Sequence, residues 1–140
     1  MFKSSLWSSI YPSLIWGLII LVGSILPSSN IQGVEVSDKL IHFVFYAVLS
    51  FFLFLLSHNV NFGLDTLIKK WTFVLTIGTL LGFIIEWIQY DLIPSRSGEW
   101  LDILANTIGL IAMLSSIYLL KRISVCLLYT SPSPRDATLS

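Results

Sequence analysis

The sequence predicts an all-α fold, namely an integral membrane bundle of four transmembrane helices with both termini in the cytoplasm. Four apolar runs, each of about 20 residues, follow one another along the 140-residue chain. Hydrophobic residues make up 55% of the chain and charged residues only 11%, whereas a soluble domain carries about 25% charged residues. The few charges inside the membrane domain gather at the ends of the runs, so a bilayer is the first predicted partner.

The four predicted spans are long enough to cross the hydrocarbon layer of a membrane. A helix rises about 1.5 Å per residue, so about 20 apolar residues cross about 30 Å of hydrocarbon. The first span begins at Pro12 and is the shortest. We favour a retained helix over a cleaved signal peptide, because no small-x-small cleavage site precedes Ser28. The spans are predicted at residues 12–26, 38–57, 71–90 and 100–120.

The membrane domain is predicted to end near residue 123, and residues 124–140 are predicted to form a disordered tail. Ser, Thr and Pro crowd into residues 129–140 without any periodicity. Residues 126–140 also resemble translated adapter or vector sequence, so this segment is left out of the fold prediction.

Loop charges predict the orientation of the bundle. Short loops that are rich in Lys and Arg stay in the cytoplasm. The only basic residues in or next to the loops at 27–37 and 91–99 are Lys39 and Arg96. Both loops are therefore predicted to face outward. Zero net charge and the lack of a basic surface give no reason to expect nucleic acid as a partner. The opposite side carries Lys3, Lys69, Lys70, Lys121 and Arg122.

Polar residues cluster at the predicted outer ends of spans two, three and four. Asp38 and His42 are four residues apart, as are Asp102 and Asn106, so each pair shares one helix face. Placing an ionisable group at membrane depth costs free energy, so such groups by default indicate a functional site. The candidate ligand-binding residues are Asp38, Lys39, His42, Glu86, Gln89, Arg96, Asp102 and Asn106.

These residue types suit three kinds of chemistry, and the sequence leaves all three open. Lys39 and Arg96, beside two helix N-termini, suit a phosphate or carboxylate. A purely structural network would instead use the two cations to neutralise the acids. In the third alternative the site binds a divalent ion, which would be the only cofactor. Its ligands would be Asp38, His42, Glu86 and Asp102.

Whether the chain is an enzyme is left open by the sequence. His42 could act as a general base at a membrane-embedded site. No phosphate-binding glycine loop, nucleophile elbow or HExxH pattern occurs. The candidate catalytic residues are His42, Glu86 and Asp102.

A set of short motifs occurs in order along spans two to four. They are Asp38-Lys39-x-x-His42-Phe43-x-x-Tyr46, Glu86-x-x-Gln89, Pro94-x-Arg96 and Asp102-x-x-Ala105-Asn106-x-x-Gly109. Together they resemble the VanZ-like family of small bacterial membrane proteins, over about residues 27–117. Ser95 stands where that family often has glycine before the arginine.

The resemblance implies a four-span protein of the bacterial cytoplasmic membrane. The family is named for a member linked to teicoplanin resistance, and it brings no established reaction with it. We therefore expect this chain to bind or shield an anionic component of the cell envelope, such as a lipid-linked wall precursor or a lipid phosphate. The alternatives are a hydrolase or transferase acting on lipid or glycan, with or without a metal, and a structural accessory subunit.

Overall fold

The computed structural model describes residues 6–25, 38–60, 63–92 and 100–130. Within them the chain forms helices α1 (Leu6–Ile25), α2 (Asp38–Asn59), α3 (Leu67–Leu92) and α4 (Trp100–Thr130). This confirms the predicted all-α class. All four helices are long and apolar enough to cross a membrane, which indicates a multi-pass membrane protein.

Helix α1 begins earlier than predicted. The predicted span started at Pro12. In the structure Pro12 lies inside the helix, which begins at Leu6 and contains a candidate span of 19 residues, Trp7–Ile25. Proline is tolerated inside transmembrane helices, where neighbouring groups satisfy the backbone that it leaves open.

Helices α2, α3 and α4 also run beyond their predicted ends. Helix α2 reaches Asn59, and α3 extends from Leu67 to Leu92 rather than over 71–90. The hydroxyl of Thr66 accepts a hydrogen bond from the Lys69 amide at 3.3 Å, which caps the start of α3.

The largest correction concerns α4 and the predicted tail. Helix α4 has 31 residues and ends at Thr130, so it continues past the predicted end at 120. At about 46 Å it is longer than the hydrocarbon layer, which is about 30 Å thick. The helix continues past the end of the apolar run, because backbone hydrogen bonding does not require apolar side chains. Residues 124–130, predicted to be disordered, are therefore helical. Residues 131–140 lie outside the described part of the chain.

Helix α2 is the centre of the bundle and contacts each of the other three helices. In the described ranges α1 and α4 make no contact with each other. The amide of Asn59, at the end of α2, donates to the Ser9 hydroxyl near the start of α1 at 3.2 Å, so these two helices are antiparallel. The buried apolar core consists of Ile20, Tyr46, Leu49, Leu53, Leu56, Val74, Ile85, Leu110 and Leu114.

Helices α2 and α4 run in parallel and pack closely. A Cβ atom on Gly109 would overlap the carbonyl oxygen of Phe43, so only glycine allows the two backbones to approach this far. Two turns further along α2, the Ser50 hydroxyl donates to the Leu110 carbonyl at 3.0 Å. Because α2 and α4 begin at the same end of the bundle, their first turns lie side by side.

Candidate functional site

The structure gathers most of the sequence-predicted residues at one end of the bundle. This cluster, called the polar site below, comprises Asp38, Lys39, His42, Glu86, Asp102 and Asn106. It is formed by the first turns of α2 and α4 and the last turns of α3. Arg96 lies outside the described residues, so the structure gives no position for it.

His42 connects all three helices of the polar site. Its Nδ1 atom lies 3.1 Å from Oδ1 of Asn106 on α4 and 3.9 Å from Oε1 of Glu86 on α3. The ring is buried, as are both partners. An amide oxygen can only accept, so the shorter contact is a hydrogen bond in the tautomer that has its proton on Nδ1. This contact fixes the ring orientation between α3 and α4.

Lys39 and Asp102 form the rim of the polar site. The Lys39 Nζ atom lies 3.9 Å from Oδ1 of Asp102. This exceeds the roughly 2.7–2.9 Å of a charge-assisted hydrogen bond. The Lys39 side chain is 44% exposed and that of Asp102 is 9% exposed. The ammonium group therefore stands at the mouth of the site, with the carboxylate behind it.

Two buried hydrogen-bond donors meet below the rim. The Tyr46 hydroxyl and the Asn106 Nδ2 atom are fully buried and have no hydrogen-bond partner among the described residues. Both pack against Gly82, where an added Cβ would lie 3.4 Å from the hydroxyl and 3.1 Å from Nδ2. Buried polar groups are almost always paired, with ordered water if not with protein. These two donors suit a small oxygen acceptor such as water.

Gln89 joins two helices. Its Nε2 atom donates to the backbone carbonyl of Ser24, at the end of α1, at 2.8 Å. The sequence placed Gln89 among the candidate ligand-binding residues. In the structure one of its amide N–H groups instead forms the hydrogen bond that joins α1 to α3.

Three residues of the polar site have the chemistry of a metal site. Asp38, His42 and Asp102 offer ligand atoms that all lie within 4.8 Å of one another. Glu86, the fourth metal candidate from the sequence, does not belong to this group and faces His42 instead. The ammonium of Lys39 beside Asp102 disfavours a cation there by like-charge repulsion.

Two residues that support the polar site, Ser50 and Ser24, are not among the residues predicted from the sequence. Ser50 continues the four-residue spacing of Asp38, His42 and Tyr46, and this spacing was the signal that could have identified it. Ser24 takes part through its backbone carbonyl, which no side-chain pattern reveals.

Comparisons of this chain with protein families, with curated proteins and with solved structures find no match.

Proposed function

We propose that this chain is a VanZ-like protein of the bacterial cytoplasmic membrane whose polar site faces outward and binds or shields an anionic group. The ligand is a component of the cell envelope, either a lipid-linked wall precursor or a lipid phosphate. The observation that carries the proposal is the half-exposed Lys39 ammonium beside the parallel N-termini of α2 and α4. The motif order described above supplies the assignment to the VanZ-like family.

Electrostatics support an anion at the rim of the polar site. Each helix N-terminus carries a partial positive charge from the helix dipole, and here two of them lie side by side. Lys39 adds a full charge on its exposed side, while Asp102 lies on its buried side. An anion arriving from the membrane surface meets the ammonium first.

The buried residues hold the rim in place. Asn106 orients His42, and His42 packs beside Glu86, so the first turns of α2 and α4 keep a fixed spacing. Arg96, assigned from the sequence as a second contact to the anion, remains part of the proposal. In this scheme Lys39 binds, and Glu86, Asp102 and His42 orient.

The test is retention of a polyprenyl phosphate by purified protein. We expect Lys39→Ala to weaken binding about tenfold or more, since a hydrogen bond to a charged group contributes about 1.5–3 kcal/mol. Lys70→Ala is the matched control, because it removes the same charge from the start of α3, at the opposite end of the bundle. Equal retention by the two variants would remove the proposal.

The second candidate is a metal-assisted hydrolase or transferase acting on lipid or glycan. It is favoured by the spacing of Asp38, His42 and Asp102. A bound ion would supply Lewis-acid chemistry, and these three side chains would hold it. Elemental analysis of protein purified without chelators decides this: near-stoichiometric metal that is lost in His42→Ala supports the enzyme, and its absence from the wild-type protein opposes it.

The resemblance also suggests a resistance phenotype. We propose that expression of this chain lowers the teicoplanin susceptibility of a bacterial host and that Lys39→Ala reduces this effect. Unchanged susceptibility in cells with verified membrane expression would contradict the proposed link.

A further inference from the structure

A cavity at the end of the bundle opposite the polar site has two basic residues in its wall. It lies between the start of α3 and the C-terminal part of α4 and has a volume of about 490 Å³. Lys121 and Arg122 line it, together with Phe54, Leu67 and Trp71. Among the described residues that line the cavity, none carries a carboxylate, so its wall is part cationic and part apolar.

The Arg122 side chain is held in position by Tyr118. Its Nε atom donates to the Tyr118 hydroxyl at 2.9 Å, and the ring of Trp71 packs edge-on against Tyr118 from α3, with 6.4 Å between the ring centroids. This hydrogen bond uses Nε alone, and the two terminal nitrogens of a guanidinium can bind two oxygens of one phosphate. Arg122 is thus oriented in a way that suits a phosphate ligand.

Neither cation is paired with a carboxylate in the described part of the chain. The ion pairs formed there do not include Lys121 or Arg122. By contrast, Lys69 of α3 is bound to Asp65, with 2.6 Å between Nζ and Oδ1. The N-terminus of α3, where Leu67 lines the cavity, adds a partial positive charge. The cavity therefore attracts an anionic ligand.

The two cations lie where the apolar run of α4 ends. They are the first basic residues of this helix and follow directly after residues 100–120. Lys and Arg at the end of a span extend to the level of the lipid headgroups, where Trp and Tyr are also enriched. Trp71 and Tyr118 line the same cavity. These residue types place the mouth of the cavity at headgroup level.

The cavity continues toward the middle of the span as an apolar one. A second cavity of about 400 Å³ shares Leu67, Trp71 and Tyr118 with the first and extends along α3 to Thr72 and Leu75. A ligand with its anionic group at the cations can therefore lay an apolar chain against α3. A free anion would leave this second cavity without an apolar occupant.

We propose that the cavity between α3 and α4 binds an anionic phospholipid from the adjacent leaflet. Lys121 and Arg122 bind its phosphate, and the first part of one acyl chain packs against Trp71 and Leu75. The choice of occupant rests on charge complementarity, because basic pockets between membrane helices bind anionic headgroups. The site lies at the opposite end of the bundle from the polar site and is separate from it.

The experiment measures the occupancy of this cavity alone. A phosphatidylglycerol with a photoreactive diazirine near the start of one acyl chain is bound to the full chain in micelles, and cross-links to residues 67–75 are quantified by mass spectrometry. Unlabelled phosphatidylglycerol, phosphatidylcholine with the same acyl chains, and glycerophosphoglycerol, the headgroup without acyl chains, compete for the site. A lipid at the polar site does not contribute, because that site lies at the other end of the bundle.

Three substitutions test the role of the charges. Lys121→Gln and Arg122→Gln each remove one cation from the cavity. Lys69→Gln is the matched control, because it removes the same charge from the same end of the bundle, and Lys69 does not line the cavity. Lys39→Ala, at the polar site, tests whether the two sites are separate.

We expect phosphatidylglycerol to compete at least about tenfold better than phosphatidylcholine, and glycerophosphoglycerol to compete poorly. Lys121→Gln and Arg122→Gln should each lower the affinity for phosphatidylglycerol about fivefold, while Lys69→Gln and Lys39→Ala should leave it unchanged. An equal loss in Lys69→Gln would show attraction by the whole end of the bundle and would overturn the inference.

The remaining outcomes also decide the proposal. Equal competition by the two phospholipids would overturn the choice of an anionic headgroup, and glycerophosphoglycerol as strong as the lipid would overturn the role of the acyl chain. Loss of the cross-links in Lys39→Ala would contradict a separate site. If the cross-links persist in Lys39→Ala while that variant still retains polyprenyl phosphate, the proposed function is wrong and this inference stands.

Discussion

The imidazole of His42 on α2 is bound to the side-chain amide of Asn106 on α4, with 3.1 Å between Nδ1 and Oδ1. The two residues are 64 positions apart in the chain, and both are buried. Their contact orders the two helix N-termini that frame the polar site.

Replacing Asn106 with leucine should destabilise the bundle. The variant keeps a similar side-chain volume and removes the amide that bonds to His42. We expect the free energy of unfolding in micelles to fall by about 0.6 kcal/mol, and by at most about 1.7 kcal/mol, as for other polar contacts between membrane helices. Ser116→Ala is the control, because its hydroxyl bonds only within α4, to the Ala112 carbonyl at 2.8 Å. Equal stability of the two variants would contradict this role of Asn106.

Gly109→Ala should be more harmful than Gly78→Ala. The added methyl at position 109 meets the backbone of Phe43, which cannot move without separating α2 from α4. At position 78 it meets the Leu110 side chain, 2.6 Å from Cδ2, and that chain can rotate. We expect Gly109→Ala to lower the free energy of unfolding by about 1–3 kcal/mol, as overpacking usually does. A larger loss in Gly78→Ala would refute the close approach of the two backbones.

Gln89→Leu should let α1 move away from α3 at the polar end. Spin labels at Val22 and Ile84, both exposed, should show a broader distance distribution once the bond to Ser24 is lost. Asn59→Leu provides the control, because its amide joins α1 to α2 through Ser9 instead. The Gln89 bond does not hold α1 in place if both variants retain the wild-type distribution.

Cysteine labelling should determine the orientation of the bundle. With Cys126 replaced by serine, a cysteine at Asp91 should react with a membrane-impermeant reagent added to intact cells. A cysteine at Asp65 should react only after the cells are opened. Both positions are exposed; Asp65 lies two residues before the start of α3, and Asp91 lies in the last turn of that helix. The reverse pattern would place the polar site in the cytoplasm and contradict an envelope ligand on the outer face.

Binding at the polar site should weaken as salt is raised. The Lys39 side chain is half exposed, and screening shortens the reach of its charge from about 10 Å at 0.1 M salt to about 3 Å at 1 M. Polyprenyl phosphate retention should therefore decline steeply with salt in the wild-type protein and weakly in Lys39→Ala. Identical slopes would show that the Lys39 charge does not contact the anion.

The apolar runs alone were enough to predict four helices and their order, because a length of about 20 apolar residues is a local property of the chain. Their ends were less accurate. The first span was predicted to start at Pro12, whereas α1 begins at Leu6, and the fourth was predicted to end at residue 120, whereas α4 continues through Lys121 and Arg122. A helix can continue through a charged pair into water, so hydropathy locates the span and not the last helical residue.

The sequence by itself determined that polar residues stand at matching ends of three spans, since spans of alternating direction bring those ends to one side. The tertiary structure decided which of them touch. In the tertiary structure α2 is central, and α4 runs parallel to it and approaches it closely at Gly109. His42 pairs with Asn106, and Gln89 donates to the carbonyl of Ser24. These contacts depend on how each helix is rotated and how near its neighbours pack, and such relations arise only when residues far apart in the chain share one interior.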